Sequence, residues 1–217
     1  MEFDLHIHTN RFSGCSNIDP GEVIARALAA GLDGIALTEH GIRWPDGEIE
    51  KLLDQCGEKK LIVLPGEEAA CYSSRGEFQG EFLVFGHPKS LGSALSVEAL
   101  VERVHESGGV VVAAHPFKRA RRGNAYYGCG DNAGKYDLDG METLHPSYDE
   151  EGLEKAWALC QSAGLASIGG SDAHAPEQIG KVRTVFERPI QSLEDLCREI
   201  REGRSRAAIA KDNGEIK

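Results

Sequence analysis

Histidines and acids punctuate this chain where short apolar runs end, and that arrangement restricts the folds open to it. Asp4-Leu5-His6-Ile7-His8 comes first, followed by Thr38-Glu39-His40, Gly66-Glu67, His115-Pro116 and Gly170-Ser171-Asp172-Ala173-His174. Most of these groups close a run that reads as a buried β-strand. A barrel of parallel strands brings every strand end to one face, so residues far apart in sequence meet there. Imidazoles and carboxylates gathered at one mouth make a site for divalent cations.

The segments between these groups alternate strand and helix. Strands are predicted over 2–8, 33–38, 61–64, 110–114, 141–144, 165–169, 182–186 and 206–210. Asp19 and Pro20 supply an N-cap and a first helical position, and Gly31 ends that helix. Further helices are expected over about 47–57, from Ser96 to Gly108, over 149–163 and over 192–202. Two short runs, 68–73 and 81–86, predict a hairpin appended to the barrel. Residues 118–139 are polar, Gly-rich and aperiodic, the signature of a functional or mobile loop. The tail 211–217 is expected to fray. The fold class is therefore α/β, a single domain over residues 1–217 with mostly parallel strands.

Bulk properties narrow the function. The 217 residues carry a net charge of −11, a poor match for long nucleic acid, whose non-specific affinity comes from phosphate neutralisation. Six cysteines are scattered with no C-x-x-C pair, so reduced thiols and a cytoplasmic location are expected. No signal peptide and no membrane-spanning stretch is visible.

His6 and His8, two apart on a strand, share a face and can grip one cation. Asp4 is expected on the same face, orienting a histidine. Glu67 sits where a strand opens into a turn, with Glu68 expected on the opposite face. His115 ends a wholly apolar strand, where a titratable group is costly without a partner. Asp172 and His174 repeat the same-face spacing behind Gly169-Gly170. His105, in a charged helix, reads as a solvated surface histidine. The basic run Lys118-Arg119-Ala120-Arg121-Arg122 follows His115 and could hold phosphate oxygens, with Arg119 as a bidentate partner. Tyr126 and Tyr127 could stack on a base.

Asp-Leu-His-Ile-His-Thr, Leu-Thr-Glu-His, Pro-Gly-Glu-Glu, Ala-Ala-His-Pro and Gly-Gly-Ser-Asp-Ala-His occur here in the order in which the PHP (polymerase and histidinol phosphatase) superfamily has its motifs. The chain resembles that superfamily from residue 4 to about residue 208. The segments Gly140–Ser147 and Arg183–Phe186 look like its TrpH-like phosphoesterase branch. The resemblance implies a distorted (β/α)7 barrel with two or three divalent cations, zinc, manganese or iron, at the C-terminal strand ends. By analogy one cation would take His6, His8, Glu67 and Asp172, and Glu67 would bridge to a second that also takes His115. The second also needs a group from the following strand, and both Glu81 and His87 are candidates. A third would use His40 and His174. Relatives often carry a further ligand where this chain has Asn10–Cys15, which implies a weak third site or one completed by water or Cys15.

The implied activity is phosphoester hydrolysis, in which bound cations bring the pKa of water toward neutrality. His174 or His145 would protonate the leaving group. A small phosphorylated molecule or a nucleotide end is the preferred substrate. The rivals are a metal-dependent amidohydrolase, an exonuclease-type phosphodiesterase and a non-catalytic metal-binding module.

Overall fold

The computed structural model describes residues 1–120 and 126–210, so Arg121, Arg122 and the tail 211–217 lie outside the described residues. The strands are β1 (Glu2–Ile7), β2 (Gly34–Leu37), β3 (Ile62–Tyr72), β4 (Phe78–Phe85), β5 (Val110–Ala113), β6 (Gly140–Leu144), β7 (Ala166–Gly169), β8 (Val182–Phe186) and β9 (Ser205–Ile209). They form one sheet in the order β7-β6-β5-β4-β3-β2-β1-β8-β9. β1, β2, β3, β5, β6, β7 and β9 run one way, and only β4 and β8 run against them. The fold is thus α/β with a nearly closed, mostly parallel barrel-like sheet.

The two ends of the sheet meet through side chains. Thr184 Oγ1 accepts from the Gly169 amide at 3.0 Å and donates to its carbonyl at 2.8 Å. Ser167 Oγ accepts the Ala207 amide at 3.2 Å, and Ser205 Oγ donates to the Ser167 carbonyl at 3.1 Å. A Cβ on Gly169 would fall 2.7 Å from the Arg183 carbonyl oxygen, so only glycine lets β7 come this close.

Period-two alternation separates two apolar layers. Phe3, Leu5, Ala36, Leu64, Leu83, Phe85, Val112, Ile168 and Phe186 fill the barrel interior. The helix Leu193–Arg201 (numbered α5 in chain order) closes its base with Leu196, Cys197 and Ile200. The opposite strand faces pack on α1 (Pro20–Ala29) and α2 (Asp46–Cys56) on one side. On the other side they pack on α3 (Val97–Glu106) and α4 (Glu150–Ala163). Asp19, Ser96, Asp149 and Ser192 each cap a helix by accepting from an amide of its first turn.

The 68–73/81–86 hairpin is no appendage. β3 runs unbroken through Pro65-Gly66 to Tyr72, and β4 is inserted between β3 and β5. Proline is tolerated because it stands at a change of partners. Pairing with β2 ends at Leu37 opposite Pro65, and pairing with β4 begins at Gly66. The 118–139 segment contains a 3-10 turn, Gly130–Lys135. Among the described residues no helix is long and apolar enough to cross a membrane.

Candidate metal centre

The C-terminal ends of β1, β2, β3, β5, β6 and β7 open on one mouth. A register shift between Asp4 and Ile7 changes which side of β1 faces inward. Phe3 and Leu5 line the interior, whereas Ile7 packs outside against α1. The shift turns His6 and His8 into the mouth and leaves Asp4 behind. Asp4 therefore does not orient a histidine ring. Its carboxylate accepts the Ser171 and Gly180 amides at 3.0 and 2.8 Å and ties β7 to β1. Burial pushes its pKa up to about 6 despite those amides.

Glu68 and Asp172 stand at the centre. Glu68 lies 3.3 Å from both His6 Nε2 and His8 Nε2, 2.8 Å from His40 Nδ1 and 3.0 Å from His115 Nε2. Asp172 lies 3.5 Å from His6 Nε2 and 3.3 Å from both His8 Nε2 and His145 Nε2. Lys118 Nζ meets the outer Asp172 oxygen at 2.7 Å. Glu81 approaches His115 Nε2 at 3.5 Å. Among the described residues, potential ligand atoms fall within 4.8 Å of one another in four groups: His8, His40 and His174; His6, His8 and Glu68; His6, His115 and Asp172; His40, Glu68 and Glu81.

A supporting layer fixes these side chains. Glu142, fully buried on β6, accepts from His6 Nδ1 at 3.0 Å and from the His115 amide at 2.6 Å. Ser13 Oγ lies 3.3 Å from His8 Nδ1 and accepts the His40 amide at 3.2 Å. Glu39 points the other way, accepting the Trp44 indole N–H at 2.8 Å, the Thr9 amide and the Thr9 hydroxyl. His115 and Asp172 hold positive φ, 28° and 49°, and they are the only non-glycine residues that do so among those described. Such conformations persist where surrounding contacts over-determine them, as the Glu142 bond to the His115 amide does here.

The electrostatics follow from burial among opposite charges. Burial opposes ionisation of Glu68, but His6, His115 and His40 outweigh it and hold its pKa well below the usual carboxylate range. Asp172 is likewise held low by His6, His145 and His8 against its burial. Burial, with Glu68 nearby, pushes Glu81 up to about 7. Burial also pulls His8 down to about 4 and lowers His145.

Of the residues expected at the site, the structure brings His6, His8, His40, Glu81, His115, His145, Asp172 and His174 together. It does not bring Glu67, His87 or Arg119. Glu67 turns outward and accepts the Leu91 and Gly92 amides at 2.8 and 2.7 Å, so Glu68 takes the central place. His87 Nδ1 bonds the Lys89 carbonyl at 2.6 Å, outside the cluster, and Glu81 is the β4 residue that reaches it. Arg119 is drawn away by Asp149 and Glu151 of the α4 N-terminus, each at 2.5 Å. Tyr126 packs on Phe117 and its hydroxyl accepts from Lys155, which ties it to α4. His105 is half-buried and bonds Asp139 at 2.8 Å rather than water alone. Glu68, Glu142 and the inward placement of Lys118 were missed.

The donor set fits divalent cations. With Nδ1–H of His6 given to Glu142, its Nε2 carries a lone pair in the neutral ring. That nitrogen faces His8 Nε2 at 3.1 Å. Among the described residues, buried His115 Nδ1 faces no partner, and Glu68 Oε2 and His145 Nε2 make only the ion-pair approaches to His40, His8 and Asp172, without an aligned hydrogen bond. Tetrahedral bonds of 2.0–2.1 Å imply ligand–ligand edges of about 3.3 Å, which matches the 3.1–3.5 Å spacings among His6, His8, Glu68 and Asp172.

A family model described as PHP-associated matches residues 150–205. The chain is 30% identical over 169 residues to the uncharacterized protein MJ1587 of Methanocaldococcus jannaschii, an alignment covering 73% of this chain and 90% of that protein. A two-domain protein from Bacteroides vulgatus, containing a predicted PHP-like metal-dependent phosphoesterase, superposes with a TM-score of 0.65 at 19% identity over 95% of this chain and 64% of that one. An amidohydrolase from Chromobacterium violaceum with bound sulfate and no metal gives 0.63 at 17% over 98% and 99%. Endonuclease Q, in complex with a 27-mer duplex bearing an abasic lesion, gives 0.60 at 18% over 94% and 57%.

Proposed function

This chain belongs to the PHP family, and on that premise we propose that its mouth is a centre for two or three divalent cations and that the protein is a metal-dependent phosphoesterase of the TrpH-like branch. The observation that carries the proposal is the convergence of His6 Nε2 and His8 Nε2, 3.1 Å apart, on the Glu68 and Asp172 carboxylates.

His6, His8, Glu68 and Asp172 would hold one cation. Glu68 would share a second with His115 and Glu81, and His40 and His174 would serve a third beside His8. Zinc, manganese or iron in this setting supplies a Lewis acid and lowers the pKa of water toward neutrality. Glu142 holds the His6 ring and the His115 backbone in place. Lys118, beside Asp172, presents an ammonium to an equatorial phosphoryl oxygen, where positive charge stabilises the transition state. Where no third cation is held, His174, 29% exposed at the edge of the cluster, would be the better placed donor to the leaving oxygen. His145, at 3% exposure, is kept neutral by burial and serves as a hydrogen-bonding partner.

The net charge of −11 favours a small phosphorylated molecule or a nucleotide end over long nucleic acid. Six free cysteines accord with a cytoplasmic location. The test is turnover of p-nitrophenyl phosphate, bis-p-nitrophenyl phosphate, nucleotides and amides by cation-loaded protein. Phosphoester turnover that is lost in Asp172→Ala and His8→Ala supports the reading. Turnover of amides alone would assign an amidohydrolase instead, and full phosphatase activity in either variant would overturn the site.

A further inference from the structure

The inner face of the β3–β4 hairpin extends beyond the cluster. Residues directly opposed in an antiparallel pair share a face, and the face recurs every second residue. Leu83 opposes Glu68 and packs in the barrel interior. Ala70 opposes Glu81 at the cluster, and above it a register shift after Cys71 sets Phe78 opposite Tyr72, which keeps the parity of Glu68 and Ala70. The ladder therefore climbs from apolar core to acids to aromatic rings.

Tyr127 joins these rings from the segment after Tyr126. The Tyr72 and Phe78 centroids are 5.6 Å apart, and Phe78 and Tyr127 are 6.2 Å apart. All three are exposed, by 38%, 42% and 50%. Contiguous exposed aromatic surface on one wall of a polar mouth marks a binding surface. The wall is continuous with the reacting centre. Tyr127 lies 6.4 Å from the His115 ring, and Lys118 Nζ stands 5.6 Å from the Tyr127 centroid.

Resting on the phosphoesterase reading, we propose that Tyr127, Phe78 and Tyr72 form a stacking shelf for a nucleobase whose phosphoester lies at Lys118 and the histidine–carboxylate cluster. Lys118 marks where the anionic end of the ligand belongs, and the rings begin directly beside it. Aromatic faces stack on any base without reading its sequence. A single nucleotide suits this site better than a long strand, because the chain's charge repels additional phosphates.

Calorimetric binding to cation-loaded protein tests the shelf, using methylene-phosphonate analogues of adenosine monophosphate and of ribose 5-phosphate, neither of which can be hydrolysed. The adenosine compound should bind at least about fivefold tighter. The double variant Phe78→Ala/Tyr127→Ala should level the two affinities while leaving that of the ribose compound unchanged. Phe78→Leu, which keeps apolar bulk without a ring, should lose part of the preference and melt as the parent does. Equal binding of both compounds by the parent, or a preference that survives the double variant, overturns the shelf and leaves the phosphoesterase reading standing. Failure of both compounds to bind the parent overturns both. A parent dimer that dissociates on the double substitution, with no change in nucleotide binding, would assign the rings to a second copy and overturn the proposal.

Discussion

Glu142 and His6, 136 residues apart in sequence, meet in the barrel at 3.0 Å, and the other Glu142 oxygen takes the His115 amide at 2.6 Å. One buried carboxylate on β6 thereby sets a ring from β1 and the strained backbone after β5. Partners behind metal-ligating histidines typically carry 10–100-fold of metal affinity. Glu142→Gln can keep one of the two acceptor contacts but not both. We expect cation affinity to fall by roughly that factor, with the overall fold retained by circular dichroism. Unchanged affinity in a chelator competition would show that the contact is incidental.

Glu67 and Glu68 separate by one residue and by role. Glu68→Gln should remove cation uptake at the shared position, because the substituted amide cannot act as a carboxylate between His6, His8, His40 and His115. Glu67→Gln should leave the cation stoichiometry intact. It should cost about 1–3 kcal/mol of stability through weaker bonds to the Leu91 and Gly92 amides. Elemental analysis and thermal melts of the two variants make the comparison. Loss of cations in Glu67→Gln with retention in Glu68→Gln would reverse the assignment.

Cation loading should release protons. Burial pulls the His6 ring toward neutrality, but Glu142, Glu68 and Asp172 outweigh it and raise its pKa well above the ordinary histidine value. The cation-free ring is therefore biased toward its protonated form, and a cation must displace that proton. Affinity should rise with pH through neutrality, and titrations in buffers of different ionisation enthalpy should show about one proton released with the first cation. Binding without proton release, or affinity that falls between pH 6 and 8, would contradict the arrangement.

Gly170 is where the β7 turn touches the site. A Cβ there would lie 2.5 Å from His6 Cβ and 2.6 Å from Glu142 Oε1. Gly170→Ala should cost about 1–3 kcal/mol by overpacking and should also weaken cation binding by displacing His6. A chemical-denaturation curve and a chelator competition on one preparation would test both effects. A variant as stable as the parent and as tight for cations would show that the turn can yield.

The histidines were legible because they stand at or shortly after the ends of apolar strands, where an imidazole is costly without a partner. The choice between Glu67 and Glu68 was not. It depends on which parity of β3 faces inward, and a one-residue slip exchanges the faces. Pro65-Gly66 read as the end of a strand that in fact continues, so the inward series Leu64, Gly66, Glu68 and Ala70 was cut short. The β1 register shift that displaces Asp4 leaves no trace in the residue pattern. Arg119 was misplaced because its partners, Asp149 and Glu151, lie some thirty residues on and act only once α4 docks. Glu142, an acid in mid-strand, offered no signal of its own until the strands converged on it.

The central claim is that His6, His8, Glu68 and Asp172 meet around a divalent cation. Elemental analysis of the purified protein, after exposure to zinc, manganese or iron(II) and removal of the excess by dialysis, tests it most directly when run beside His6→Ala/His8→Ala. The account predicts two or more equivalents retained by the parent and a lower stoichiometry in the double variant. A parent that emerges empty after every metal, or a variant that retains as much as the parent, would contradict it.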